Sequence, residues 1–199
     1  MTPYITQLKI TFLLLLFGAS MSFISNPVDG WELDVAHSNL HFSVTHIMVS
    51  EIEGSIKITE ATLTTPNDDF TDALVTLQAD MNTIDTDNDG RDTHLRNADF
   101  FDVEKYPTMT FVSESFKKIE DKKYLVAGNL TFHGIAKNVA LEVIANPGIQ
   151  PWDNKGIVGF KVSGKINRSD FGIAASTPSA VLSDEVGIVA NVIFAKGKE

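Results

Sequence analysis

The sequence predicts an all-β fold, a single antiparallel β-barrel of about eight strands with one short helix near residues 89–100. Apolar residues recur at every second position over most of the chain from Trp31 onward, which is the pattern of half-buried strands. Clusters of turn-forming residues separate these runs, and only one stretch departs from the pattern. These features fit a sandwich or a barrel. The strand runs are long and no edge carries protective Pro or Lys, so closure into a barrel is favoured.

The strand patterns follow one another along the chain. They are predicted at residues 40–45, 51–58, 75–81, 108–118, 124–132, 138–145, 157–166 and 185–195. Turn chemistry interrupts them at residues 65–69, 120–123, 146–148 and 151–156. Glycines inside strand patterns predict bends of the barrel wall or removal of volume from one face, and bends are the favoured interpretation. The spacing predicts antiparallel neighbours.

Residues 89–103 favour a short helix. Leu95 and Ala98 share one helical face, and the Thr and Asp residues upstream are suited to cap the first turn. No solenoid or propeller repeat, low-complexity block or linker divides the rest. We therefore expect residues 23–199 to form one domain.

The first 22 residues have the pattern of a secretory signal peptide. Lys9 precedes an apolar run from Ile10 to Ala19, which is shorter than the roughly 20 residues of a membrane-spanning helix, and small residues follow it. Cleavage is expected after Ser20 or Ser22, and an uncleaved anchor is the alternative. The sequence thus predicts an exported protein whose mature part has 15 bases against 26 acids, a formal charge of −11.

Composition excludes several classes of function. The whole chain carries a formal charge of −10 and has no basic patch, which disfavours binding to a nucleic-acid backbone. Without cysteine there is no disulfide, thiol nucleophile or thiolate metal site. The sequence has no Gly-x-Ser-x-Gly turn and no glycine-rich phosphate loop, so triad and nucleotide chemistry lack local support.

Ordered motifs over almost the whole predicted mature chain resemble the YceI family of lipid- or polyisoprenoid-binding proteins. The resemblance begins with Trp31-Glu32-Leu33-Asp34 and His37-Ser38-Asn39-Leu40-His41-Phe42-Ser43-Val44-Thr45-His46. It continues with Arg91-Asp92-Thr93-His94-Leu95, Asp99-Phe100-Phe101-Asp102-Val103, Tyr106-Pro107-Thr108-Met109-Thr110-Phe111, Gly128-Asn129-Leu130-Thr131-Phe132-His133-Gly134, Asn167-Arg168-Ser169-Asp170-Phe171-Gly172 and Leu182-Ser183-Asp184-Glu185-Val186. The resemblance implies a lipocalin-like barrel in the periplasm whose apolar interior holds an isoprenoid chain such as a quinone tail. It implies no catalysis.

Alternation along the strands indicates which side chains line such an interior. An eight-stranded barrel is wide enough either to hold one small ligand or to be filled by its own side chains. Candidate lining residues are those on the apolar strand faces, and each is equally compatible with ordinary core: Phe42, Val44, Val75, Leu77, Phe111, Val126, Leu130, Phe132, Leu141, Phe160, Val162, Ile188 and Val192. Alkyl burial alone gives about 0.8 kcal/mol per CH₂-sized group, so a few isoprene units suffice for retention.

The histidines and one aspartate-rich loop are candidates for metal sites or for structural roles. His41 and His46 are an odd number of residues apart on one predicted strand and so face opposite sides; the other histidines, His37, His94 and His133, give no preformed set. Residues 85–90 resemble the first half of an EF-hand loop, but Arg96 occupies the position of the bidentate Glu. Helix capping is therefore favoured over calcium, and neither a metal nor a cofactor is expected.

Charged residues near a barrel opening bear on the ligand's head group. Arg91, Arg96, Lys137 and Arg168 are candidates to meet it, although pairing with the numerous acids is the favoured interpretation. The acidic net charge favours a neutral, quinone-like head group over a pyrophosphate.

The sequence thus predicts a non-catalytic binding protein for a hydrophobic small molecule, a polyisoprenoid, quinone or other lipid, with no nucleic-acid partner. This function is compatible with transient membrane contact and leaves the oligomeric state open. Two alternatives remain. One is a filled barrel that acts as a protein-interaction module, and the other is an enzyme that acts on a lipid inside the barrel.

Overall fold

Eight antiparallel strand positions close into a barrel in the computed structural model, which describes residues 30–67 and 69–197. The strands are β1 (Trp31–Leu33), β2 (Asn39–His46), β3 (Ser50–Thr64), β4 (Leu74–Asp85), β5 (Thr108–Glu120), β6 (Lys123–Phe132), β7 (Ile135–Ile149), β8 (Gly156–Asn167) and β9 (Leu182–Lys196). The helix α1 (Asp89–Arg96) follows β4, and short 3₁₀ turns occupy Val35–His37 and Arg168–Phe171. The predicted all-β barrel with one short helix is confirmed. The predicted signal peptide lies outside the described residues.

Each strand from β2 to β9 pairs with the next one in the chain, and the pairing of β2 with β9 closes the barrel. The ninth strand, β1, pairs with the last residues of both β3 and β9, at Trp31↔Leu63 and Trp31↔Lys196. It therefore occupies the same place between β3 and β9 that β2 fills further along. The 3₁₀ turn at Val35–His37 is the break between these two pieces of one strand position.

The two ends of the barrel differ. At the end that we call the helix end lie the β2–β3 turn, α1 and the long connection between β8 and β9. At the opposite end lie the β3–β4, β5–β6 and β7–β8 connections and the strand β1. Within the described ranges, the structure has no helix with the length and apolarity of a membrane span.

Aromatic rings pack against one another across the opposite end. Phe160 is the centre, with ring centroids 5.3 Å from Phe70, 5.8 Å from Phe116 and 6.1 Å from Phe194. The Trp31 ring of β1 lies 5.9 Å from Phe70 and extends the cluster to the edge of the barrel. All of these rings except Trp31 are buried, so this aromatic cluster fills the interior at that end.

The helix is shorter than predicted. It ends at Arg96, and Ala98, predicted on the same helical face as Leu95, lies exposed in the turn that follows. The N–H of Asn97 donates to the carbonyl of His94, an i−3 bond that closes the last turn, and the N–H of Phe101 then donates back to the Leu95 carbonyl at 3.0 Å, so the chain leaves the helix here. Of these two residues, Leu95 packs against the core and Ala98 does not.

The turn predicted at residues 146–148 is wrong, because these residues continue β7. Pro147 pairs with Val158 of β8. The pairing of β7 with β6 has already ended at Ile144↔Lys123, so the far side of β7 is a free edge at Pro147. A proline, which has no N–H to donate, is accommodated at such an edge.

Candidate functional site

Two cavities lie inside the barrel. The smaller has a volume of about 100 Å³ and a wholly apolar lining from β4 to β9, and it ends on rings of the aromatic cluster. Its walls are formed by Val75, Leu77, Met109, Phe111, Phe116, Val126, Leu130, Val139, Leu141, Val143, Phe160, Val162, Ile188, Ala190, Val192 and Phe194.

The larger cavity lies at the helix end and has a volume of about 310 Å³. Strands β2, β3, β6, β8 and β9 supply its walls, and α1 and the β8–β9 connection cover it. Its lining is Phe42, Val44, His46, Ile52, Arg91, His94, Leu95, Phe100, Phe101, Phe132, Ile166, Arg168, Ile173, Thr177, Val181, Leu182 and Val186.

The two cavities are successive parts of one interior. On β6, Leu130 lines the smaller cavity and Phe132, the next inward residue, lines the larger. On β9 the same step is made between Ile188 and Val186. Because two residues advance a strand by only about 7 Å, the cavities lie end to end along the barrel axis.

All of the predicted lining residues face this interior. Ten line the smaller cavity: Val75, Leu77, Phe111, Val126, Leu130, Leu141, Phe160, Val162, Ile188 and Val192. Three line the larger: Phe42, Val44 and Phe132. Strand alternation therefore located the walls, and contact of these residues with a ligand stays a prediction.

Alternation missed residues of two kinds. Val143 and Phe194 lie on the same inward faces as predicted residues two positions away, so the signal for them was present. Ile173, Thr177 and Val181 lie in the β8–β9 connection, where no period exists to reveal which side chains turn inward. The residues that cover the larger cavity could therefore not be predicted from strand alternation.

Arg91 is held at the larger cavity by a buried polar pair. Its Nε donates to Thr86 Oγ1 at 2.7 Å, and its Nη2 donates to the Thr86 carbonyl at 2.6 Å. Thr86 is fixed in turn because both its N–H and its hydroxyl donate to the buried Asp92 carboxylate, at 3.0 and 2.5 Å. The guanidinium is thus oriented before any ligand binds, and its Nη1 has no hydrogen-bond acceptor among the described residues.

Arg168 lines the same cavity in a different way. It is only 5% exposed, and its five N–H groups all donate to backbone carbonyls. The acceptors are Ser183, Ile173, Ala174, Thr177 and Leu182, all in or next to the β8–β9 connection. The side chain therefore holds the cover of the larger cavity in place and leaves a positive charge beside it without a free donor.

No acidic residue lines the larger cavity, whose ionisable groups are His46, Arg91, His94 and Arg168. The expected pairing of Arg91, Arg96, Lys137 and Arg168 with acids is wrong, since none of them forms a salt bridge within the described ranges. Arg96 donates instead to the Asn82 and Ile84 carbonyls. For the three arginines the reason is geometric, because the folded chain presents backbone carbonyls, and to Arg91 also the Thr86 hydroxyl, to their guanidinium groups.

The histidines and the aspartate-rich loop have local roles. His41 is exposed and His46 lines the larger cavity, so their predicted opposite orientation is confirmed. His133 Nδ1 lies 3.0 Å from the Phe171 carbonyl. Asn88 caps α1 by accepting from the N–H of Arg91 at 2.9 Å, which confirms the capping interpretation of this loop. Residues 30–67 and 69–197 contain no group of three or more His, Asp or Glu able to hold a metal.

Two strand glycines make room for rings that line the cavities. A Cβ at Gly54 would lie 2.5 Å from the Phe42 ring, and one at Gly128 would lie 2.7 Å from the Phe111 ring. Phe42 lines the larger cavity and Phe111 the smaller. The glycines thus remove volume from one face of the strand. Of the two predicted interpretations, bends of the wall and removal of volume, this is the less favoured one.

The groups with shifted pKa values lie away from both cavities. Hydrogen bonds from Thr71 lower the pKa of Asp69, and burial raises the pKa of Tyr124, both at the opposite end of the barrel. Hydrogen bonding to Asp69 raises the pKa of Lys118, and hydrogen bonding to Tyr106 raises that of Lys105. None of these side chains lines either cavity.

Comparison with known proteins places this architecture in a family. The model of the YceI-like domain matches residues 31–194. Protein YceI of Salmonella newport is 35% identical over 157 residues, which cover 78% of this chain and 80% of that protein.

Solved structures agree with the fold. The crystal structure of the Campylobacter jejuni YceI protein superposes with a TM-score of 0.67 at 31% identity, covering 78% of this chain and 90% of that one. The structure of a polyisoprenoid binding domain from Saccharophagus degradans, implicated in plant cell wall breakdown, superposes with a TM-score of 0.61 at 16% identity. It covers 85% of this chain and 99% of that domain, and at this identity the likeness concerns the fold alone.

Proposed function

This chain belongs to the YceI family, and from that premise we propose that it binds a polyisoprenoid with a quinone-like head group inside its barrel, without catalysing a reaction. The observation that carries the proposal is the pair of end-to-end cavities, with purely apolar walls in the inner one. The polyisoprenoid binding domain of the same fold supports it. With its signal-like N-terminus, the protein would act in the periplasm as a carrier or store.

The cavity volumes set the length of tail that fits without rearrangement. An apolar cavity of about 150 Å³ accommodates a benzene molecule, which has six carbons. On that scale the larger cavity, at about 310 Å³, takes about a dozen carbons, and the smaller, at about 100 Å³, takes about four. Together they hold about three isoprene units, and a longer tail requires wall side chains to move.

The polar groups set the direction of the ligand. The inner cavity offers a chain of carbons nothing but apolar contact, whereas the larger cavity has Arg91 with a free Nη1. A quinone carbonyl is an acceptor for that donor, and the ordered guanidinium loses little entropy in binding it. The tail therefore points toward the aromatic cluster and the head group lies near α1.

Catalysis is not part of the proposal. An enzyme acting on a lipid inside the barrel would place ionisable groups with shifted pKa values around the ligand. The shifted groups of the described chain lie elsewhere. A filled interaction module is disfavoured by the volume of the larger cavity.

A pair of variants on one strand tests the proposal. Val186→Phe adds a ring to the larger cavity, while Val189→Phe adds the same ring to the exposed outer face of β9, where Val189 is 41% exposed. Titration with a short-chain isoprenoid quinone, followed by native mass spectrometry, measures occupancy. We expect Val186→Phe to weaken binding by about tenfold or more, because the lost alkyl burial exceeds about 1.4 kcal/mol, and Val189→Phe to bind like the wild type.

The wild-type protein supplies the decisive outcome. Purified without detergent from an exporting host, it should release a stoichiometric polyprenyl compound on solvent extraction. A homogeneous apoprotein that takes up neither quinone nor polyprenol would overturn the proposal.

A further inference from the structure

The tip of the β2–β3 hairpin exposes three consecutive apolar side chains. Ile47 is 55% exposed, Met48 75% and Val49 87%. Exposed hairpin turns are ordinarily built from Gly, Asn, Asp and Ser, which interact with water and suit the backbone. This turn is therefore unusual in its composition.

The backbone of the tip makes the composition more unusual still. Ile47 has φ 53° and Met48 has φ 56°, both in the left-handed region that Gly and Asn favour. A β-branched residue such as Ile is strained there. The tip therefore has bulky apolar residues where both solvation and backbone conformation disfavour them, which points to a role in contact with something apolar.

The tip adjoins the larger cavity where its lining residue Val181 reaches the surface, and we call this edge of the cavity its mouth. The Ile47 N–H donates to the Val181 carbonyl at 2.8 Å, and the Thr45 N–H donates to Ser183 Oγ at 3.0 Å. These bonds join the hairpin to the end of the β8–β9 connection. Val181 is 46% exposed, and both it and His46 line the cavity. One surface thus runs from the tip to the cavity wall.

The two segments that form this side of the mouth carry almost no ionisable side chains, apart from the buried Arg168 to which one of them is bonded. Residues 171–183 contain no ionisable side chain, and residues 42–50 contain only His46, in a chain of net charge −10. The turns at the opposite end of the barrel are charged, with Asp121, Lys122, Asp153 and Lys155. A neutral, apolar surface is therefore the partner that this side of the molecule fits.

The size of the patch distinguishes a membrane from a protein partner. A stable protein interface buries about 800 Å² on each side, more than three tip side chains and Val181 offer. A bilayer accepts a small apolar protrusion, because each side chain that enters the acyl region gains burial by itself. A bilayer is also where an isoprenoid resides.

We propose that Ile47, Met48, Val49 and Val181 insert into a neutral lipid bilayer, so that ligand moves directly between the membrane and the larger cavity. The inference rests on the proposed function for its ligand. The docking itself rests on the tip, its backbone and the uncharged surface around it.

A double variant, Ile47→Asn with Met48→Gly, tests the docking. Asn and Gly suit the two left-handed positions, so this chain is expected to fold at least as well as the wild type. Loading with a short-chain isoprenoid quinone is measured in two ways, from phosphatidylcholine vesicles and from an ethanol dispersion in water. We expect the double variant to load from vesicles about tenfold more slowly and from the dispersion at the wild-type rate.

The matched control lies at the other end of the barrel. Trp152 is 78% exposed there, and Trp152→Ser removes a side chain that favours membrane interfaces. We expect it to leave vesicle loading unchanged. Loss of vesicle loading in Trp152→Ser but not in the double variant would overturn the proposal, because docking would then occur at the opposite end of the barrel.

Further outcomes separate docking from ligand binding. Failure of the wild type to load from either source contradicts the proposed function, and co-sedimentation with ligand-free phosphatidylcholine vesicles then still tests docking. Equal vesicle loading by wild type and double variant overturns the docking. A change of oligomeric state in the double variant with unchanged vesicle loading also overturns it and makes the tip an interface between copies of this chain.

Discussion

Arg168 is a single side chain that bonds to carbonyls along a whole connection. It directs five N–H groups to carbonyls in or beside the segment that covers the larger cavity, and it is buried. Since a hydrogen bond to a charged group contributes about 1.5–3 kcal/mol and a buried unpaired group costs a similar amount, the ordered cover depends on this one residue.

The substitution Arg168→Lys is expected to lower the free energy of unfolding by about 2–4 kcal/mol. Lysine keeps the charge but has three donors instead of a planar fork of five, so several buried or partly buried carbonyls lose their partner. Denaturant unfolding measures the change. Lys165→Gln, which removes an ion pair whose side chains are both largely exposed, is the control and should change stability by less than about 0.5 kcal/mol. Equal effects of the two substitutions would contradict the role given to Arg168.

Because of Tyr124, we expect the stability of the folded protein to fall at alkaline pH. Burial raises its pKa above the ordinary value of 10.0, and the carboxylates of Asp69 and Asp121 add to this while Lys118 opposes it. A group whose pKa is raised by folding stabilises the folded state below its unfolded pKa and loses that effect as the pH rises through the folded value. This contribution is therefore intact up to about pH 10 and declines above it.

The substitution Tyr124→Phe should flatten that decline. Near pH 8 the variant is expected to be less stable by about 1 kcal/mol, because the phenol donates a hydrogen bond to the Asp69 carbonyl. Between pH 8 and pH 11 the wild type should lose more stability than the variant, so the gap narrows. Urea unfolding at both pH values gives the comparison, and a gap that widens toward pH 11 would refute the explanation.

The glycines of the strands show how elements are fitted to one another. A Cβ at Gly128 would lie 2.4 Å from the Val112 carbonyl oxygen of the neighbouring strand, whereas a Cβ at Gly159 would meet nothing within 4 Å. Gly128 is therefore required for the close packing of β5 on β6. No such close contact requires a glycine at position 159 in β8.

Alanine substitutions at these two glycines should change the stability of the barrel differently. Gly128→Ala is expected to destabilise the barrel by about 1–3 kcal/mol, since backbone and the Phe111 ring must shift. Gly159→Ala is expected to be neutral or to stabilise by up to about 1 kcal/mol, because alanine reduces the freedom of the unfolded chain and adds strand propensity. Thermal unfolding of both proteins checks the pair, and similar melting temperatures would show that the contact at Gly128 is not limiting.

Among the strands, helix and connections, the sequence predicted mainly the features that follow from apolar alternation. Strands β2 to β9 follow from their apolar faces, and the cavity walls follow with them. The continuation of β7 through Pro147 was not predictable, because it depends on where a neighbouring strand stops pairing. The end of α1 before Ala98 and the cover held by Arg168 likewise depend on contacts between residues that no local pattern connects.

For the whole molecule, the proposed export has a direct test. Expression of the full chain in a Gram-negative host, followed by intact mass measurement of the periplasmic fraction, should give a protein that begins at residue 21 or 23. Leu14→Arg, which places a charge in the apolar run, should retain the full-length chain in the cytoplasm. A full-length chain in the membrane fraction, with none in the periplasm, would indicate an uncleaved anchor instead.

Among the described residues, the aromatic cluster closes the interior of the barrel at the end opposite α1. Rings from Trp31 to Phe194 fill the interior opposite the helix end, so a guest that enters beside α1 meets a closed wall. A ligand in a cavity that is closed at one end enters and leaves at the other end, so its tail enters first and leaves last. Passage through the molecule would require these rings to move, so we expect delivery between two places to occur by diffusion and rotation of the whole protein.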